Sequence, residues 1–193
     1  YLGEKGEEVA NYSHNFGIVT GGAWDIKSTS FYFYKPGYLR ATDATVTSED
    51  AMTRSDSYKG VQTDEIAASL QSKTYYFGIK GDEVADYTQN FKLGTLIVKT
   101  TSFYLYDNQR ASTAASDQAM TTSETYKGAF TDIPAVVANI IQSRTFYLGE
   151  KGEEVANYSH NFGIVTGGAW DIKSTNFYFY KPGYLRATDA TVT

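Results

Sequence analysis

Apolar and polar residues alternate with period two in several short runs. In Lys73–Ile79 the alternation places Tyr75, Phe77 and Ile79 on one face of a predicted strand, closed by Lys80-Gly81-Asp82. The strongest strand signal is Phe31-Tyr32-Phe33-Tyr34, matched by Phe103-Tyr104-Leu105-Tyr106. Alternation puts Phe31 and Phe33 on one face and Tyr32 and Tyr34 on the other. Both faces are therefore aromatic, which calls for cover on both sides or a tyrosine ladder offered to a partner. Turn formers end these strands: Lys35-Pro36-Gly37 in one, Asp107-Asn108 in the other. Short strands are also expected at Trp24–Lys27 and Leu96–Lys99, while 82–91 fits a strand or a helical turn. The Ser-, Thr- and Asp-rich stretch Thr42–Asp56 lacks periodicity and reads as loop with at most one short strand. Thr63–Leu70 reads as a short helix, with Thr63 or Asp64 as N-cap and acidic residues in the first turn. At the matching place, Pro134 fits a first helical turn, and Ile133, Val136, Val137, Ile140 and Ile141 share one side at helical spacing.

These elements recur because the chain is a repeat. Residues 1–47 return at 147–193 with one change, Ser30 to Asn176. A weaker relative lies between them: Gly3-Glu4-Lys5-Gly6-Glu7-Glu8-Val9 corresponds to Gly78-Ile79-Lys80-Gly81-Asp82-Glu83-Val84, and Tyr58-Lys59-Gly60 to Tyr126-Lys127-Gly128. The organisation is unit A (1–74), unit B (75–145) and an incomplete second A (146–193). Gly6 to Gly81 spans 75 residues and Gly81 to Gly152 spans 71. Units this long approach the size of a small independent domain. The sequence thus predicts a sheet-dominated α+β fold: a tandem array of beads, each with three or four antiparallel strands and one short helix. The 47-residue remainder is expected either as a window on a longer array or as a unit completed by another chain. With no initiator Met, the chain reads as a mature product or excised segment.

Composition sharpens this picture. The 17 Tyr and 11 Phe favour strands, because aromatic rings suit a pleated surface. A net charge of −5 argues against a nucleic-acid partner, which needs a basic face. No apolar stretch is long enough to span a bilayer. The chain has no Cys, which excludes disulfides, thiol catalysis and thiolate metal sites.

Candidate chemistry is sparse. His14 and His160 are one position in two copies, replaced by Gln89 in unit B, and read as loop histidines bonded locally. Glu4, Glu7 and Glu8 alternate with Lys5 and Gly6 and read as a solvated turn. Gly21-Gly22 reads as a hairpin turn without a ligand. Lys27, Lys99 and Lys173 share one strand position and read as outward lysines guarding an edge rather than partners in an isopeptide bond. Trp24 and Trp170 suit a sugar-stacking platform, although Leu96 at the same place in unit B favours a core role. Asn11 and Asn157 each open an Asn-Tyr-Ser glycosylation pattern.

No catalytic, metal or cofactor constellation emerges, so an enzyme is not expected. The expected function is a structural tandem-repeat subunit of an extracellular fibre, pilus-like filament or surface stalk, self-associating through sheet edges and aromatic faces. The assembly residues are Tyr32, Tyr34, Tyr104, Tyr106, Tyr178 and Tyr180. The alternative is a multivalent carbohydrate-binding module using Trp24 and Trp170 on a glycan.

Overall fold

A computed structural model describes residues 1–135, 139–181 and 183–189. It divides into two compact units, Tyr1–Lys99 and Thr100–Thr193. In the first unit the strands are β1 (Tyr12–Ile18), β2 (Trp24–Tyr34), β3 (Leu39–Arg40), β4 (Met52–Lys59), β5 (Leu70–Phe77) and β6 (Val84–Phe91). They run as an antiparallel meander in the order β1-β2-β4-β5-β6, with the short β3 beside the end of β2. The second unit holds β7 (Val98–Tyr106), which starts just before it, β8 (Gln109–Arg110), β9 (Met120–Lys127), β10 (Ile141–Leu148), β11 (Val155–Ile164) and β12 (Trp170–Phe177). Its order is β7-β9-β10-β11-β12, with β8 beside β7.

This corrects the expected α+β beads. The only helical element among the described residues is a single 3-10 turn, Ala67–Ser69. Leu70, expected to close a helix in unit A, instead opens β5 and is buried. Around Pro134 the chain is irregular and Ile141 opens β10; Val136 and Val137 lie outside the described residues. Eight or nine residues with few apolar contacts cannot offset helix nucleation, while a strand edge offers immediate hydrogen-bond partners. The beads fail for a second reason. The repeat boundaries at 74/75 and 145/146 fall inside β5 and β10, so one strand serves two repeats.

Two further expectations change. The loop assigned to Thr42–Asp56 gives way at Met52 to β4, eight residues long. Its sequence, Met-Thr-Arg-Ser-Asp-Ser-Tyr-Lys, hides its alternation because its buried face carries Arg54, Asp56 and Tyr58 rather than aliphatic residues. The ambiguous 82–91 segment becomes β6, and β5 stops at Phe77, which leaves Ile79 exposed in a turn.

The core of the first unit is Phe31, Phe33, Tyr58 and Leu70, with Phe91 packed against them. Full burial of each such side chain contributes on the order of 1.5–3 kcal/mol. Arg40 from β3 lies over the Phe31 ring at 4.1 Å and Arg54 over the Phe33 ring at 4.0 Å, so aliphatic stems and flat guanidinium groups complete the cover. The second unit repeats the device with Arg110 over Phe103 at 4.5 Å, and Arg186 over Phe177 at 4.3 Å. The value of a neighbouring strand is visible directly. Phe31 and Phe33, flanked by β4, are 0% and 2% exposed; their copies Phe177 and Phe179 are 51% and 57% exposed.

The acidic turns hold the meander together. Glu83 accepts from Gly81 N at 2.9 Å and from Met52 N, the first residue of β4, at 3.0 Å. Glu154 does the same for Gly152 N and Met120 N, both at 3.0 Å. Among the described residues, Glu8, the equivalent residue in the first turn, accepts only from Gly6 N at 2.9 Å, and Glu4, Glu7 and Glu8 are exposed as expected of a solvated turn. Where a repeat precedes it, the same carboxylate becomes a clamp between consecutive repeats. Gly78 makes that turn possible: its φ is +133°, and a Cβ there would lie 2.6 Å from Asp82 O. Gly78→Ala combines a strained backbone with a backbone clash, so a loss of about 2–3 kcal/mol is expected in urea unfolding followed by circular dichroism. Gly81→Ala, at φ +87° with open space around it, should cost less.

Candidate functional site

The pleat sorts side chains onto two chemically distinct faces. On one face of the first unit, the cross-strand row Tyr12, Phe31, Asp56, Lys73 and Gln89 runs beside the row Phe33, Arg54, Tyr75 and Tyr87. In the second unit the matching rows are Phe103, Glu124, Arg144, His160 and Thr175, then Leu105, Thr122, Phe146, Tyr158 and Phe177. This face is aromatic and ionic, and its centre is buried.

The buried acid is the unusual group here. Asp56 is 0% exposed, with Arg54 Nε at 2.8 Å and Lys73 Nζ at 3.3 Å from its two oxygens. Neither contact is well aligned as a hydrogen bond, so burial outweighs the two cations and pushes the Asp56 carboxyl above its ordinary range. The second unit solves the same problem differently. Thr122 replaces Arg54, Leu105 replaces Phe33, and the longer Arg144 reaches across to Glu124 with Nε at 2.6 Å and Nη2 at 2.5 Å. Tyr126 also donates to Glu124. Acid, cation and neighbouring ring have changed together, as expected when each loses its partner if changed alone. Burial raises the Tyr58 and Tyr126 phenols, each beside its acid. The aromatic stacks also match: Tyr75 on Tyr87 at 4.3 Å, Phe146 on Tyr158 at 4.5 Å.

Two central rows of the opposite face are neutral and hydroxyl-rich, with the exposed Lys59 and Lys127 in the row beyond them. One row of the first unit is Ser13, Ser30, Ser57, Ser72 and Asn90; the next is Tyr32, Ser55, Thr74 and Thr88. In the second unit they are Ser102, Thr125, Ser143, Asn161 and Ser174, then Tyr104, Ser123, Thr145, Ser159 and Asn176. No side chain in these rows carries a charge. Most are half-buried, Thr88 and Ser159 are buried, and Ser174 and Asn176 are exposed. Hydroxyls bond one another across strands, as in Thr74 to Thr88 at 2.9 Å and Ser102 to Thr125 at 2.8 Å.

Tyrosines are tethered to this face by one rule. The hydroxyls of Tyr32 and Ser13 lie 2.8 Å apart, those of Tyr76 and Ser55 3.0 Å, and those of Tyr147 and Ser123 3.2 Å. Tyr178 donates to Ser159 at 3.3 Å. In every case the serine pairs with the residue two positions before the tyrosine, so the ring leans diagonally across the neighbouring strand. Beside Tyr76 and Tyr147 lie equivalent open grooves of about 380 and 390 Å³.

The structure separates the six tyrosines expected at an assembly face. Tyr32 and Tyr104 stand on the hydroxyl face half-buried, and Tyr178 is 37% exposed. Tyr34 and Tyr106 are buried; the Tyr34 hydroxyl donates to Ala10 O at 2.7 Å, and burial pushes its pKa up to about 12. Tyr180 is half-buried and makes the same bond to Ala156 O at 2.6 Å. Tyr34 and Tyr180 are thus pins at the strand end. Trp24 is 72% exposed on the β1–β2 hairpin, which overturns its core reading; Leu96 is also exposed. Trp170 is half-buried with its Nε1 shielded from solvent. Asn11 accepts from Arg40 Nη2 at 2.8 Å, and the buried Asn157 accepts from Arg186 Nη2 at 2.7 Å. Both potential glycosylation amides therefore serve the arginines above the aromatic strands. His14 is on a strand rather than a loop, its Nδ1 3.1 Å from Thr29 Oγ1. His160 and Thr175 repeat the contact at 3.0 Å.

The arginines and the serine rows escaped the sequence reading. Arg40, Arg110 and Arg186 do recur after each aromatic strand, and that recurrence was the available signal. Among the described residues, no group of three or more His, Asp or Glu is placed to hold a metal ion, and no helix is long and apolar enough to cross a membrane. No protein family, curated protein or solved structure matches the chain.

Because the folded state holds the Asp56 proton to a higher pH than the unfolded chain does, stability contributed at this site falls as pH rises through the raised value. Asp43 and Asp50 act oppositely and lower on the scale: hydrogen bonds from Thr45 and Thr47 hold them down, so their contribution is lost as pH falls. Urea unfolding across the acid-to-neutral range should show the Asp56 decline in the native chain and not in Asp56→Asn. An unchanged slope in the variant would reject the assignment.

Proposed function

We propose that the chain is a structural tandem-repeat subunit of an extracellular fibre, pilus-like filament or surface stalk, self-associating through sheet edges and aromatic surface. The observation that carries this reading is the sharing of structure between repeats. β5 and β10 cross the repeat boundaries, Glu83 of unit B clamps Met52 of unit A, and Phe91 of unit B packs on the unit A core. Repeats that complete one another's cores suit a material lengthened strand by strand. The arginine cover, the carboxylate clamp and the tyrosine pins are the parts that recur, and they are load-carrying scaffold contacts rather than chemistry.

Light scattering from the purified chain across a range of concentration, with electron microscopy of the concentrated sample, tests this reading. Growth in mass with concentration and the appearance of filaments are expected. A monodisperse monomer at the highest concentration, with no filaments, would sink the assembly reading.

A second reading, multivalent carbohydrate binding, is favoured by one specific observation: the 72% exposure of Trp24. An exposed indole on a hairpin tip offers an apolar platform of the kind that stacks on a sugar ring.

A further inference from the structure

From the hydroxyl face we infer that the chain carries a binding surface for a neutral polysaccharide, distinct from the Trp24 hairpin. The inference rests on the carbohydrate reading and assigns it a different site. Three features converge on that ligand chemistry.

The first is the absence of charge from two adjacent rows, bounded by Lys59 and Lys127 in the next row. An ordinary solvated sheet face mixes Lys and Glu with Thr, which keeps edges and faces soluble. Here nine residues of the first unit and ten of the second, in two adjacent rows, are all Ser, Thr, Asn or Tyr, in a chain whose charged residues number 17 basic and 22 acidic. Such a face offers donors and acceptors without selecting an ion.

The second is the tethered tyrosines. A free tyrosine loses rotamer freedom when a ligand stacks on it. Tyr32, Tyr76, Tyr147 and Tyr178 have part of that freedom removed beforehand by their serine partners. Each ring leans along the sheet among small hydroxyl side chains. An apolar ring face bordered by neutral hydroxyls complements a pyranose, which has an apolar C–H face and a hydroxyl rim.

The third is spacing. Tyr32 and Tyr76 stand on β2 and β5, with β4 between them, so they are about 10 Å apart across the strands. Tyr147 on β10 and Tyr178, the residue after the end of β12, repeat this two-strand interval with β11 between them. Regular platforms suit a polymer of repeating sugar rings, and repetition adds avidity to weak single contacts.

Area weighs against a second copy of the chain as the occupant. Five strands and two rows cover roughly 24 by 14 Å, on the order of 300–400 Å² for each unit. A stable protein interface needs about 800 Å² on each partner, about twice the neutral area of one unit.

The test places a cation at the centre of the face. Ser57 and Thr125 occupy the same position in the two units, each between hydroxyl neighbours in its row. In the full chain, Ser57→Lys with Thr125→Lys introduces two charges, and Ser57→Thr places in the first unit the residue that the second already carries. Circular dichroism and thermal melting confirm that the fold is kept. Affinity electrophoresis through gels of soluble neutral polysaccharides, including a β-glucan, a mannan and a starch, reads binding. The native chain and Ser57→Thr should be retarded by at least one polymer, with little change on adding salt. The double lysine variant should bind at least tenfold more weakly.

If the lysine variant binds as the native chain does and Trp24→Ala abolishes binding, the carbohydrate reading stands and this face is not the site. If no neutral polysaccharide retards the native chain, both are overturned. If the native chain self-associates and the lysine variant is monomeric, the occupant is a second copy and the polysaccharide assignment is overturned.

Discussion

A β-strand hides a side chain only against what its neighbours and their loops bring to it. The rest of this protein depends on that constraint. Within the identical copies, Phe31 is sealed and Phe177 is half-exposed, although the two strands have the same residues on either side in sequence apart from Ser30 and Asn176. What differs is the adjacent β4, with Arg54, Asp56 and Tyr58 on its inner face. Burial in this fold belongs to the pair of strands rather than to either one, which explains why repeats share strands instead of standing as beads.

The same constraint explains the buried ions. A meander with loops on one side has little aliphatic material to cover its aromatic row, so flat guanidinium groups do part of that work. They bring charge into a poorly solvated place, and the carboxylates of Asp56 and Glu124 balance it. The pairing is weak as a source of stability, because desolvation opposes it. It is strong as a constraint on change, since removing one partner leaves an uncompensated charge. Arg54 with Lys73 in one unit and Thr122 with Arg144 in the other are two solutions of one problem.

The neutral face is the complement of that economy. Charge and rings are concentrated where cover exists, and the face left with little cover is built from small hydroxyls and tethered tyrosines. Serine and threonine there satisfy one another across strands, which holds the rows in place before any partner arrives.

Much of the local structure was legible in the chain. Residues 31–34 and 103–106 announced their strands, and the internal repeat announced that every feature would return. Lys80-Gly81-Asp82 marked a turn, but Gly78 read as part of the strand, although its φ of +133° against a carbonyl is what ends β5 at Phe77. Period-two patterning could not reveal β4, because hydroxyls on one side and ions on the other leave no apolar alternation to read. Nor could it tell that Glu83 clamps the preceding repeat, that Tyr34 is a pin while Tyr32 faces outward, or that Trp24 is exposed. Those assignments rest on register. A strand's sequence determines which residues share a face, whereas only the pairing of strands decides which face is covered, by what, and therefore where a carboxylate is buried and where a tyrosine is left for a ligand.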